Sequence, residues 1–394
     1  MGEPNFPTPP HIVEAAHRAA RDGFTRYTET QGLPSLRAAW CDRLKRVNGY
    51  DTTPERLLVT AGAVSGLFAT FAAILEQGDE ILLPDPGWPN WSMMAKLIGA
   101  RPIGYRCSPH TGWQPDLDHL RAQVTPRTKA VLVNSPGNPS GAVLDAATLR
   151  AISEMAERHD LWLISDECYD GIVFEGEHLG AAAVADRART VTIVSCSKTY
   201  AMTGWRVGCV AAPDALVGPL AKVQQATLAS VCAVAQKAAE SALTGSQDAA
   251  EAMRLAYRQR RDEAAGLLAH LGRPIAPPGG AFYAMLDLSD CIADSTAFAQ
   301  RLLDQERVAV APGPAFGSQA PASVRVALCV DPAILEAGLR KLVAAAERSR
   351  QGALTLPRRG AEADERLTRT ARRVRPASRP RPSALRNRPK VART

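Results

Sequence analysis

The sequence predicts an α/β fold: a mostly parallel central sheet joined to a smaller α+β unit. Three observations lead there. Short β-branched or aliphatic runs alternate with helical stretches through the middle of the chain, the pattern of parallel strands linked by crossover helices. Beyond a charged helical stretch at Arg254–Leu271 the pattern changes to strand-like segments around a single helix. The chain has 394 residues, 46% hydrophobic and 22% charged, which is enough to bury a sizeable core in more than one unit.

The elements follow in order. LLVT (57–60) reads as a strand, and AGAVSG turns it into the helical SGLFATFAAILEQG, which Gly78 stops. EILLPDPGW is the next strand and turn. KAVLV (129–133) is another strand, and it ends in NSPGNPSG. Asp145 can cap the helix AATLRAISEMAERH. LWLIS (161–165) and TVTIV (190–194) are further strands, and a long helical region follows Pro213. PPGGAFYAMLDL, a helix at Ser295–Gln305, VAVAPGPAFG and SVRVALCV complete the second unit. The expected organisation is an N-terminal segment 1–25, a large unit 26–255, a small unit 256–350 and a basic tail 351–394. The large-to-small boundary falls near Met253–Arg261.

Composition removes several function classes. No apolar run reaches the roughly 18 residues of a membrane span, and Met1–Asn5 opens no secretory leader. Eight cysteines (41, 107, 168, 196, 209, 232, 291, 329) are scattered without a CxxC pair, which argues against a zinc site and fits a reducing cytoplasm. The net charge of +7 is misleading: residues 351–394 carry 13 Lys/Arg against 3 Asp/Glu, a local +10 that leaves −3 elsewhere. That Arg/Pro/Ser-rich tail is expected to be disordered. It has no aromatic residue among its charges, so a nucleic-acid role is not the favoured reading.

The chemistry gathers at strand ends. KAVLV is followed by Asn134 and Asn138, LWLIS by Asp166, Glu167 and Tyr169, and TVTIV by Ser195, Ser197 and Lys198; LLVT ends in AGAVSG. Open parallel sheets bind ligands outside the carboxyl ends of their strands, so four such exits predict one pocket. AGAVSG offers unobstructed helix N–H groups to a phosphate, with Ser195 and Arg206 beside it. Lys198 can form a Schiff base with a carbonyl. Asp166 can hold a protonated ring nitrogen, Asn138 and Tyr169 can donate to a phenolic oxygen, and Trp88 can stack on the ring. Phosphate, aldehyde, pyridinium and phenolate describe pyridoxal 5′-phosphate.

Taken singly, each residue has an ordinary explanation. Asp166 can cap a turn, and Trp88 and Tyr169 can be core aromatics. Arg206, Arg325, Tyr27 and Lys198 can be surface groups, and Asn138 before Pro139 is a frequent turn pair. The coincidence favours the pocket.

With these motifs in place, the sequence resembles the class I/II aminotransferases of the fold-type I pyridoxal-phosphate family, aspartate/aromatic-type subgroup. The resemblance runs from Gly2 to about Arg348 through GEPNFPTPPHI, YTETQGLPSLR, TAGAVSGL, PDPGW, NSPGNPSG, SDECYDGIVF, SCSKTYAMTGWRVG, GGAFY and SVRVAL. It implies a large cofactor-binding domain with a smaller α+β domain. Lys198 would carry the internal aldimine, with Asp166 on the ring nitrogen, Asn138 and Tyr169 on the 3-oxygen and Trp88 on the ring. Ser195, Arg206, Tyr27 and the amides of Ala63 and Val64 would take the phosphate. Tyr27 would do so in the neighbouring subunit of a homodimer with shared sites. Arg325 would grip the substrate α-carboxylate, with Gly2, Asn138 and Trp88 near the substrate. Catalysis would fall to Lys198, Asp166 and Tyr169, moving an amino group from an L-amino acid to 2-oxoglutarate or pyruvate in ping-pong fashion.

Two departures from the family bear on substrate. Relatives carry an arm ahead of the GEP segment that borders the substrate pocket, whereas this sequence begins at that segment, so either a truncated start or an open entrance is expected. Some aspartate-specific relatives place a lysine where Val64 stands, so aspartate is not the expected donor. Three rival functions stay in view. One is a C–S β-lyase of the same fold. The second is a serine acyl enzyme read from Ser195-Cys196-Ser197-Lys198, which lacks the SDN and KTG partners such enzymes use. The third is an aminotransferase-like regulator contacting nucleic acid.

Overall fold

In the computed structural model, residues 2–351 are described; the expected disorder of the basic tail concerns residues that, beyond Gln351, lie outside them. Seven strands form the central sheet: β1 Leu57–Thr60, β2 Glu80–Asp85, β3 Arg101–Arg106, β4 Thr128–Asn134, β5 Trp162–Asp166, β6 Thr190–Ser195 and β7 Gly208–Ala211. Their spatial order is β1-β7-β6-β5-β4-β2-β3. Strand β7 alone runs against its neighbours. The fold is the expected α/β one. The five strands read from β-branched runs are all present within a residue or two, whereas β3 and β7 were not expected.

The central strands are buried along nearly their whole length, as parallel strands covered on both faces should be. One cover is the helix Gly62–Ile74, apolar on most sides, which joins Leu67 and Phe71 to Ile81, Leu132, Ile164 and Ile193 in one core. The opposite face packs on Leu149, Ile152 and Met155 of the helix Ala146–Arg158, whose Asp145 cap accepts from the Thr148 N–H as the sequence suggested.

Three further strands make a small antiparallel sheet: β8 Tyr283–Asp287, β9 Ala311–Pro312 and β10 Ser323–Ala327, with β10 in the middle. Its core joins Phe282, Leu286 and Val324 to Leu339 and Leu342 of the helix Pro332–Arg350. The charged helix expected at Arg254–Leu271 is a continuous helix at Asp248–His270 and runs through the expected boundary. Among the described residues no helix is long and apolar enough to cross a membrane.

Six parallel strand ends and the start of β7 share one edge. Thr60 and Ser195 both pair with Gly208, and Asn134 lies opposite Asp166. The register therefore delivers the ends of β1, β4, β5 and β6 to one place.

Candidate active site

A cavity of about 390 Å³ opens at that edge. Ala63, Val64, Trp88, Asn138, Asp166, Tyr169, Ser195, Lys198, Arg206, Arg325 and Gly2 all line it. Tyr27 does not: it is 89% exposed on its own chain.

Lys198 stands in a single helical turn, Cys196–Thr199, directly after β6, with Ser195 as its cap. Its Nζ donates to the Gly2 carbonyl at 2.9 Å. Burial pushes its ammonium below the usual lysine range, which favours the neutral amine a nucleophile or base needs.

Asp166 closes β5 and is buried. One oxygen accepts from the Cys168 N–H at 3.2 Å and the other from the Trp91 indole at 3.3 Å. Burial raises its carboxyl above the ordinary range, while the donors on Cys168 and Trp91 hold it partway down. Asn134 donates to the Asp166 carbonyl at 2.8 Å and accepts from the Asn138 N–H at 2.8 Å, so it fixes two predicted residues at once.

The anion end is built from β1 and the entry to β7. No side chain caps the helix Gly62–Ile74, so its first-turn N–H groups face the cavity without a competing acceptor. Gly62 has φ +72, and a Cβ there would stand 2.4 Å from Arg206 Nη2. The missing side chain is what admits the guanidinium, which donates to Thr203 O at 2.7 Å and Ala61 O at 3.3 Å. The Ser195 hydroxyl accepts from the Ser197 N–H at 3.1 Å.

Arg325 enters the cavity from β10. Its guanidinium lies between the rings of Tyr283 and Phe316, 4.3 and 4.7 Å from their centroids. Nη1 donates to Asn138 Oδ1 at 2.8 Å, while the buried Nε has no partner. A guanidinium edge held by stacking and one hydrogen bond is prepared for a carboxylate.

Sequence reasoning did not assign Trp91, Tyr283 or Phe316 to the site. Trp91 follows Trp88 by one helical turn, and their rings meet edge to face at 5.9 Å. Tyr283 lies in GGAFY, and its hydroxyl is 3.2 Å from that of Tyr169. Phe316 had no local signal. Its loop is tied to the end of β2 by Asp85, which accepts from the Ser318 and Gln319 N–H groups at 3.0 and 3.1 Å.

A half-buried amine, a buried carboxylate, an uncapped helix start with an arginine and a stacked arginine in one cavity fit the family expected from the sequence. The family model for aminotransferase class I and II matches residues 1–342. The chain belongs to the class I and II aminotransferases.

This aminotransferase is 40% identical over 321 residues to an aspartate/prephenate aminotransferase of Thermus thermophilus, covering 80% of this chain and 83% of that one. It is 38% identical to an arginine–pyruvate transaminase of Pseudomonas aeruginosa, over 87% and 88% of the two chains. An aromatic aminotransferase of Pyrococcus horikoshii superposes with a TM-score of 0.86 at 33% identity, covering 90% of this chain and 96% of that one. The family depends on pyridoxal phosphate in general.

Proposed function

We propose that this aminotransferase uses pyridoxal 5′-phosphate held on Lys198 to move an amino group from an L-amino acid to a 2-oxo acid such as pyruvate or 2-oxoglutarate. The observation that carries this is the convergence of Lys198, Asp166, Arg206 and Arg325 on one cavity.

The residues fit the cofactor. The uncapped helix start at Gly62 with Arg206 and Ser195 suits its phosphate, and Asp166 suits a protonated ring nitrogen. Asn138 and Tyr169, which line the same cavity, would donate to its 3-oxygen, and Trp88 would cover its face. When bound, the cofactor supplies the electron sink for the bonds at the substrate α-carbon.

The chain's own groups do the rest. Arg325 binds the α-carboxylate through its guanidinium, whose Nη2 makes no hydrogen bond among those described, and so fixes where the α-carbon sits. Lys198, its basicity lowered by burial, would take the proton from the substrate α-carbon and hold it on Nζ for return. Donor and acceptor then use one site in turn, which gives ping-pong kinetics. Tyr27 is exposed because it serves the phosphate site of a second copy, and the working unit is a homodimer. The eight free cysteines suit a cytoplasmic setting.

The test is borohydride reduction of the cofactor-loaded enzyme followed by peptide mapping. The adduct is expected on Lys198 and is expected to vanish in Lys198→Ala. An adduct on another lysine, or none, would sink the assignment.

A further inference from the structure

We infer that Asp85, which does not itself line the cavity, is a positioning residue for substrate. Its carboxylate latches the loop between β9 and β10 onto the end of β2, and so sets where Arg325 presents its guanidinium. The inference rests on the reading of Arg325 as the group that binds the α-carboxylate. One oxygen of Asp85 accepts from the Ser318 N–H at 3.0 Å and from the Ser318 hydroxyl at 2.8 Å. The other accepts from the Gln319 N–H at 3.1 Å. Two successive backbone N–H groups and a hydroxyl thus converge on one side chain. A carboxylate suits them, because both of its oxygens accept and neither carries a donor when ionised. A second tie runs beside the first, the Gly87 N–H donating to the Phe316 carbonyl at 2.8 Å. Gly317 shows how close the approach is: its φ is +146, and a Cβ there would collide with Asp85 Oδ1.

The latch matters because of what the loop carries. Phe316 is buried, and its ring is one of the two stacked on the Arg325 guanidinium. An arginine side chain turns about many bonds, and stacking removes that freedom only if the ring it rests on is itself held. Phe316 is held at its carbonyl by Gly87 and, two and three residues on, by Asp85. The same turn leads from β2 into Trp88, which also lines the cavity. Arg325 belongs to the small sheet and Trp88 follows a strand of the central one. Asp85 therefore ties the group that grips substrate to the element that carries Trp88, the kind of fixed spacing that holds a reacting carbon in place. Every one of these contacts lies within one chain, so they stand whatever a second copy adds to the cavity.

Two unreactive acids of different side-chain class, 3-phenylpropionate and succinate, test this on the cofactor-loaded full-length enzyme, their binding read from the change in cofactor absorbance. In Asp85→Ala both are expected to bind at least about fivefold more weakly, because the latch acts on the carboxylate grip that they share. Cofactor affinity, measured separately, is expected to hold. Unchanged binding of both acids in Asp85→Ala would overturn the proposal, since the latch would then have no effect on Arg325. A parallel loss of cofactor affinity would overturn it too, because that is the mark of a merely structural role. Gly317→Ala disturbs the same contact from the loop side, with Asp85 intact, and keeps the question open to test if Asp85→Ala does not fold. It is expected to weaken both acids by a similar factor, and the double variant to be little worse than either single one. Acids that bind Gly317→Ala as tightly as wild type would overturn the proposal. Failure of both acids to bind the wild-type enzyme would defeat the reading of Arg325 as a carboxylate site, and the latch with it.

Discussion

Trp91 donates its indole N–H to the buried carboxylate of Asp166 across 3.3 Å, from a helix that starts 73 positions before the strand carrying that carboxylate. An indole N–H can only donate and does not titrate at working pH, so it favours the charged carboxylate without adding a competing charge. Burial pulls the other way and raises the carboxyl. Trp91→Phe keeps the ring and removes the donor. The Asp166 carboxyl is then expected to titrate at higher pH in the cofactor-free protein, measured by its infrared carbonyl band with Asp166→Asn as the blank. Cofactor affinity is expected to fall by about tenfold, the low end for a hydrogen bond to a charged group. An unmoved carboxyl titration would remove Trp91 from this role.

Below the site lies a buried ion pair. Arg43 donates to both oxygens of Asp170 at 2.6 and 2.8 Å, and both residues are buried. Asp170 is one residue past Tyr169, so the pair helps fix the turn that follows β5. Asp170→Ala leaves Arg43 with Asn48 Oδ1 at 3.3 Å as its remaining acceptor among the hydrogen bonds described. The expected loss is about 3–5 kcal/mol in denaturant titration. Replacing both partners, as Arg43→Met with Asp170→Leu, is expected to recover most of it, because no buried charge is then left alone.

How much of this was legible in the sequence depended on distance along the chain. LLVT, KAVLV and TVTIV declared themselves as strands because β-branched and aliphatic residues run unbroken. Arg101–Arg106 did not, since Pro102 and Gly104 interrupt it and only an edge position tolerates them. Gly208–Ala211 is four residues long and antiparallel, outside the alternation that guided the reading. Lys198, Asp166 and Asn138 could be read because strand exits converge in any parallel sheet. Tyr283 and Trp91 could not, because what makes them part of the site is a partner 114 or 75 residues away. Phe316 depends on Asp85 anchoring its loop, a contact across more than 200 residues that no local pattern announces.

His178 should impose a pH dependence on stability. Burial disfavours its cation, but the hydrogen bond of Nε2 to Glu167 at 2.8 Å prevails, and the net shift is upward. A folded pKa above the unfolded value of about 6.5 means that the native state holds the proton more tightly. The resulting stabilisation is complete below that value and is lost as pH rises through the folded pKa. Denaturation of wild type and His178→Gln across pH 5–9 is expected to give curves that converge on the alkaline side and separate on the acid side. A constant offset across this range (about pH 5–9) would exclude the linkage.

Arg325 supplies a sharper test of substrate binding. Lysine in its place keeps the charge but loses the planar edge and the stacking between Tyr283 and Phe316. Arg325→Lys is expected to weaken carboxylate binding by about 1.5–3 kcal/mol, or roughly 10- to 150-fold. The cofactor absorbance reports any change passed to the 3-oxygen through Asn138, which accepts from Arg325 Nη1. Titration with 3-phenylpropionate separates the two effects.

Gly62 connects the backbone to the cofactor site most directly. Its φ of +72 lies in the left-handed region, and the space a Cβ would take is already filled by Arg206 Nη2 at 2.4 Å. Gly62→Ala therefore acts twice. The backbone strain alone costs about 1–2 kcal/mol, which a shift in unfolding midpoint will report. The methyl also drives the guanidinium from the carbonyls of Thr203 and Ala61, away from the helix start. If Arg206 holds the phosphate with those amides, cofactor affinity should fall by about tenfold or more, by an amount similar to that in Arg206→Lys. The double variant should then be little worse than either single one, since both changes empty the same position. A variant that loses stability but keeps full cofactor affinity would show that the phosphate does not rest on Arg206.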